Sequence, residues 1–103
     1  WLKQTLGFVE HEVHVGDDGS IQHAQLAFGE DLIMLGSTPQ LPAGKHTTYL
    51  LRPDVYDQYA AAVESGAEVS MPITDQSYGS REYAVRDPEG NTWAVGTYQP
   101  SAS

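Results

Sequence analysis

The chain has 103 residues, 40% of them hydrophobic, no cysteine, and 14 acidic against 5 basic side chains for a formal charge of −9. That length suits one domain, able to bury about 65% of the surface its unfolded chain would expose. Disulfides, thiolate ligands and a cysteine nucleophile are excluded, and the negative balance repels a phosphate backbone. No apolar run approaches the roughly 20 residues needed to span a bilayer. Nucleic acid and membrane are therefore set aside as partners, and the lack of cysteine suits a cytoplasmic protein. The chain opens on Trp1 rather than Met, and nothing at its start resembles a signal peptide. An acidic surface serves solubility first; the sharper alternative is an acidic cleft that draws cationic ligands.

In chain order, Trp1–Gly7 suits the last turns of a helix, with Trp1, Leu2 and Leu6 on one side. Gly7 fits the left-handed position past its end. Phe8–Val15 alternates, with Val9, His11, Val13 and Val15 opposing Phe8, Glu10, Glu12 and His14, which predicts a strand. Glu10 and Glu12 then share a face, where paired carboxylates can disturb each other's ionisation or simply line a polar outer surface. Gly16-Asp17-Asp18-Gly19 is a turn. Ile21–Phe28 and Leu32–Gly36 are strands joined tightly through Gly29-Glu30-Asp31. Ser37–Lys45, with Pro39 and Pro42, is linker-like. His46–Arg52 is a further strand. Pro53-Asp54 then opens a helix from about Val55 to Ser65, with Asp54 as N-cap and Gly66 as stop. Val55, Tyr59, Ala62 and Val63 make its buried stripe. Glu68–Ile73 is another strand. Arg81–Arg86 and Asn91–Tyr98 form a hairpin around Asp87-Pro88-Glu89-Gly90, which suits a type I turn.

The halves repeat. Gly7 and Gly66 end helices 59 residues apart, Gly29 and Gly90 lie in hairpin turns 61 apart, and Gly36 and Gly96 lie in last strands 60 apart. Helix–strand–strand–strand occurs twice, and the second copy has a leading strand, His46–Arg52. The expected architecture is α+β, a pair of βαβββ modules. The first strand of the first module is expected to be missing from this chain, leaving a sheet edge that a partner or a further segment would cover.

The hairpin Ile21–Gly36 permits an assignment of faces. A two-residue loop, at either Gly29-Glu30 or Glu30-Asp31, sets odd positions of its first strand beside even positions of its second. Ala24, Leu26, Phe28, Ile33 and Leu35 then make a hydrocarbon face to pack on helices. His23, Gln25, Ala27, Leu32, Met34 and Gly36 make a mixed face, suited to a small-molecule pocket or to solvent. A shift of 60 places Trp93 and Val95 in the core and turns Ala94, Gly96 and Tyr98 to the pocket. Tyr49 and Arg81 are added as ligand contacts, with Arg81 equally able to serve as a partner for a nearby carboxylate.

The run Tyr78-Gly79-Ser80-Arg81-Glu82, followed by Asp87-Pro88-Glu89-Gly90-Asn91 and Trp93, resembles the closing hairpin of the vicinal-oxygen-chelate superfamily. That group holds glyoxalases, bleomycin-resistance proteins and extradiol dioxygenases, and the chain is most similar to its small bacterial members. The resemblance implies one glyoxalase-like domain over residues 1–103, with module one at 1–37 and module two at 46–100, and a homodimer. Metal-dependent relatives take His or Glu ligands from the first and last strands of each module. Those places correspond here to Met34, Ala94 and Thr47, with His46 adjacent to the last and one slip of register away. His11 and His14, three apart on a strand, point to opposite faces. No cofactor and no metal is expected. Ser residues lack a G-x-S-x-G setting, and the turn accounts for Asp87. The resemblance implies a binder akin to bleomycin-resistance proteins, sequestering a cationic or aromatic ligand at His23, Gln25, Met34, Tyr49, Arg81, Ala94 and Tyr98. The alternative it leaves open is a divalent-metal-dependent lyase, isomerase or dioxygenase using His46.

Overall fold

A computed structural model describes residues 1–37 and 44–99. Their elements run α1 (Leu2–Leu6), β1 (Val9–Val15), β2 (Ile21–Phe28), β3 (Asp31–Leu35), β4 (Thr47–Leu51), α2 (Val55–Glu64), β5 (Glu68–Asp75), β6 (Arg81–Arg86) and β7 (Thr92–Gly96). The expected linker around Pro39 and Pro42 lies outside the described residues. Contacts divide the chain into two units, Leu2–Gly44 and Lys45–Ser103, with Trp1 in the second.

In the first unit the sheet order is β1-β2-β3, both pairings antiparallel. Positive φ in the β2–β3 turn is confined to Gly29, at 61°, the pattern of a two-residue II′ connection. Ala24 consequently pairs with Leu35, Gln25 with Met34 and Leu26 with Ile33, the facing expected from parity. Burial is less complete than expected. Leu6, Phe8, Ala24 and Leu26 are buried, and the rings of Phe8 and Phe28 meet at 4.9 Å, yet Ile33 is half-buried and Leu35 is 40% exposed. The reason is position: among the described residues β3 has no neighbour on its outer side.

Strand β1 also departs from simple alternation. Its register skips His11, pairing Glu10 with Leu26 and Glu12 with Gln25. A bulge of this kind moves the following residues to the other face. Glu10 and Glu12 therefore lie on opposite faces, and Val9 and Val15 are exposed rather than aligned into a core stripe.

The second unit is a complete βαβββ module with sheet order β4-β7-β6-β5, β4 running parallel to β7 and the other pairs antiparallel. Pro72, which has no N–H to give, sits in the edge strand β5, where the register shifts between Met71 and Thr74. Tyr83, Val85, Trp93 and Val95 share the face on the α2 side and are 5% exposed or less. Helix α2 lays Val55 and Ala62 onto this unit, and its Tyr59 ring lies 5.2 Å from that of Tyr83. Val63, expected in the stripe, is 49% exposed. The helix stops at Gly66, which takes φ 84°, as expected. Asp54 stands at its N-cap but makes no capping bond, because Arg52 holds both carboxylate oxygens at 2.7 and 2.8 Å. That guanidinium also keeps the Asp54 carboxyl below the usual carboxylate range.

Candidate functional site

The faces of the second sheet follow from its cross-strand pairs. Tyr49 pairs with Ala94 and Leu51 with Gly96, while Ala84 pairs with Ala94 and Glu82 with Gly96. Paired residues share a face. Tyr49, Glu82, Ala84, Ala94 and Gly96 thus lie together, opposite the Tyr83, Val85, Trp93 and Val95 core. Gly96 is what lets them converge. A methyl group there would lie 2.5 Å from Glu82 Cγ, 2.8 Å from Tyr49 Oη and 2.9 Å from Tyr49 Cε1. With no side chain in the way, the Tyr49 phenol and the Glu82 side chain both pack against the bare backbone.

Two further tyrosines close the group. The Tyr49 hydroxyl donates to the Tyr98 carbonyl at 2.6 Å, and the Tyr78 hydroxyl donates to Glu82 Oε1 at 2.7 Å. The rings of Tyr78 and Tyr98 meet edge to face at 5.9 Å. Accepting Tyr78's proton in a hydrogen bond, Glu82 raises the phenol's pKa, helped by partial burial and the charges of Glu82 and Tyr49. Ser80, itself buried, accepts from the Tyr98 amide at 3.0 Å and so fixes where that residue leaves the strand. The segment Tyr78–Glu82 therefore supplies one wall, one carboxylate and the anchor for a second wall.

Of the expected contacts in this unit, the structure brings Tyr49, Ala94 and Tyr98 together, and it turns Arg81 away. Arg81 stands on the face of Tyr83 and Val85 and forms a two-point pair with Asp75, at 2.7 and 3.2 Å. The cause lies in the β6–β7 turn. Gly90 takes φ 86° and donates to the Asp87 carbonyl at 2.9 Å, while the Asp87 amide donates to the Asn91 carbonyl at 2.8 Å. This is a three-residue loop ending in a left-handed glycine, closed by an Asp87–Asn91 pair. The four-residue loop expected from sequence would have set Arg81 opposite Gly96; the loop actually formed sets Glu82 there. Gly90 in third place was the signal that could have found Glu82.

Asp87 is structural, as its turn role suggested. Its carboxylate accepts from the amides of Glu89 (3.0 Å) and Asn91 (2.8 Å) and from the Trp93 indole at 2.9 Å. Burial pushes its pKa up, but the bonds from Trp93, Asn91 and Glu89 outweigh that and leave it low.

In the first unit, His23 and Gln25 share a side-chain hydrogen bond of 3.0 Å, and Gln25 pairs across the strands with Met34. His14 pairs with His23, their rings 6.0 Å apart, and is bound at 3.0 Å by Glu12. Met34 is 70% exposed. Surface concavities elsewhere in the second unit include one of about 300 Å³ at the start of α2, lined by Asp54, Tyr56 and Arg81, and one of about 480 Å³ beside Gly66, Glu68 and Arg86. Ion pairs line both: Arg81 is taken by Asp75 and Asp54 by Arg52 at the first, and Arg86 by Glu68 at the second.

Comparison with known proteins decides the family. Residues 1–95 match the model of the Glyoxalase/Bleomycin resistance protein/Dioxygenase superfamily. The chain belongs to that superfamily. An uncharacterized protein of Mycobacterium bovis, Mb0911c, is 32% identical over 93 residues, covering 79% of this chain and 61% of its own length. The Mycobacterium tuberculosis protein Rv0887c matches equally, with 55% of its length covered. The chain thus spans between about half and three-fifths of these curated relatives. Among solved structures, TioX from Micromonospora sp. ML1 superposes with a TM-score of 0.75 at 25% identity, over 96% of this chain and 85% of TioX. TnmS3, an antibiotic binding protein from Streptomyces sp. CB03234, gives 0.72 at 24%, over 97% and 81%. The α+β architecture of two sheets and two helices is the fold of these superfamily members.

Some superfamily members use a divalent metal, and the residues at the corresponding places here do not fit one. Met34 and Ala94 offer no donor to a hard or borderline cation. Thr47 pairs with Thr92, and the neighbouring His46 sets its ring against the edge of Trp93 at 5.6 Å and bonds Thr48 at 3.1 Å. That is the side away from Tyr49 and Ala94. Among the described residues no three His, Cys, Asp or Glu side chains are grouped to hold a metal ion. No helix among them is long and apolar enough to cross a membrane.

Proposed function

We propose that this chain is a small-molecule-binding protein, akin to the bleomycin-resistance members of its superfamily, that sequesters a cationic, aromatic-bearing ligand without a metal. The observation that carries the reading is the meeting of Tyr49 and Glu82 over the bare backbone of Gly96, with Tyr78 bonded to Glu82 and its ring set against that of Tyr98. Flat aromatic walls supply stacking area and attract cations, and a carboxylate among them favours positive charge. A net charge of −9 adds long-range attraction for such a ligand. The antibiotic-binding description of TnmS3 lends the reading only that this fold can serve a binder. Module one contributes a second contact surface in this proposal, through His23, Gln25 and Met34, and the working unit is a cytoplasmic homodimer.

Thermal-shift measurement tests the reading. A cationic glycopeptide such as bleomycin, at 100 times its dissociation constant, would stabilise the native state by about 2.7 kcal/mol, a shift of several degrees. Stabilisation that depends on Tyr98 is the expected result. No shift with cationic glycopeptides or aromatic amines would contradict it. So would stoichiometric bound metal that is lost on His46→Ala, which belongs to the metal-dependent enzyme.

A further inference from the structure

Among the described residues Glu82 is the one acid that is buried, at 7% exposure. A buried carboxylate costs several kcal/mol unless a cation or a full set of donors compensates it. Among the described residues Glu82 has one donor, the Tyr78 hydroxyl on Oε1. No basic side chain of the described residues forms an ion pair with it. The arginines of this unit are held elsewhere: Arg52 by Asp54, Arg81 by Asp75 and Arg86 by Glu68. Lys45 bonds the Glu89 carbonyl at 3.2 Å. The cations of this unit thus serve more exposed groups, and the buried acid is left without one.

The surroundings of Glu82 point to what would complete it. Gly96 leaves its side chain uncovered by any Cβ from the paired strand, at a spot where one would stand 2.5 Å from Glu82 Cγ. Tyr78 and Tyr98 meet at 81°, giving two walls at nearly a right angle, and Tyr49 crosses the same glycine. One carboxylate with phenol neighbours is too few hard donors for a divalent ion, which takes six or more oxygens or an octahedral shell. It suits an organic ammonium, whose N–H groups bond the carboxylate while its adjoining carbons lie on ring faces.

We propose that Glu82 is the anchoring residue for a protonated amine on the ligand, its free Oε2 taking the ammonium. This rests on the binding face proposed above and names the group recognised there: an aliphatic amine carried by an aromatic body.

Titration calorimetry with tryptamine and its neutral analogue N-acetyltryptamine tests the anchor, on the whole chain and on E82Q. The substitution keeps the shape of the side chain and an oxygen for Tyr78 while removing the charge. Wild-type protein is expected to bind tryptamine at least about tenfold more tightly than the acetylated form, and E82Q to bind the two within about twofold of each other. If E82Q keeps the wild-type preference, the anchor is overturned while the binding face stands. If neither compound binds wild-type protein, both fall. A second measurement needs no variant. Diffuse attraction to a surface of charge −9 is screened at 0.5 M salt, where the Debye length falls to about 4 Å, whereas a buried contact is screened far less. Preference for the amine should survive that salt; its disappearance would overturn the anchor.

Discussion

Strands β3 and β7 are counterparts, 60 residues apart, and their surroundings differ. Strand β7 is central, with β4 on one side and β6 on the other, and its Trp93 and Val95 are 5% and 0% exposed. Among the described residues strand β3 has β2 alone, and Leu35, the match of Val95, is 40% exposed. Across the hairpins, Tyr83 opposes Val95 where Ala24 opposes Leu35. The same pattern of alternating apolar residues therefore becomes a core in one module and a half-covered face in the other. Hydrophobic pattern fixes which side of a strand faces inward; a flanking strand decides how far inward it goes.

Truncation mutants would sharpen that contrast most. Trp93→Ala removes a buried ring and the indole donor to Asp87, and should cost about 3–5 kcal/mol in urea unfolding. Leu35→Ala, at the matching end of the exposed strand, should cost about 1 kcal/mol or less. Equal costs would mean that β3 is covered as fully as β7.

A smaller effect concerns Tyr83, whose hydroxyl is buried without a hydrogen-bond partner among the described residues. Burial pushes its pKa up to about 12. Because the folded value lies above the ordinary value near 10, the stability that this group contributes is complete below about pH 10 and is lost as pH rises toward the folded value. Tyr83→Phe should therefore raise stability at neutral pH by roughly 1 kcal/mol, by removing an unsatisfied polar atom. It should also flatten the alkaline loss between about pH 10 and 12 in a pH series of unfolding midpoints. A destabilised variant would show that the hydroxyl has a partner.

How much of this was legible in the sequence also differs between the hairpins. For β2–β3, either two-residue loop gives the same parity, so Gln25 and Met34 sharing one face and Leu26 and Ile33 the other followed from the loop length, whichever of the two loops formed. For β6–β7, a loop of three residues and one of four give opposite faces, and the difference rests on Gly90 adopting a left-handed conformation. That single residue exchanged Arg81 for Glu82 at the candidate site. The bulge at His11 similarly parted Glu10 from Glu12, with no residue in the strand to announce it. Trp93 and Val95 in the core, and Ala94 and Gly96 turned from it, were readable because β7 keeps the 60-residue offset of its counterpart. Tyr78 escaped notice because its hydroxyl reaches Glu82 from the turn before the strand, beyond any strand periodicity.

The claim on which the function rests is that ligand settles on the face of module two that carries Tyr49, Glu82, Ala94 and Gly96. Following backbone amide resonances while tryptamine is added tests it most directly. Saturable shifts concentrated at Tyr49, Tyr78, Glu82 and Gly96 are the expected result. Shifts confined to α2 and the Tyr83 side of the sheet, or none at all, would contradict it.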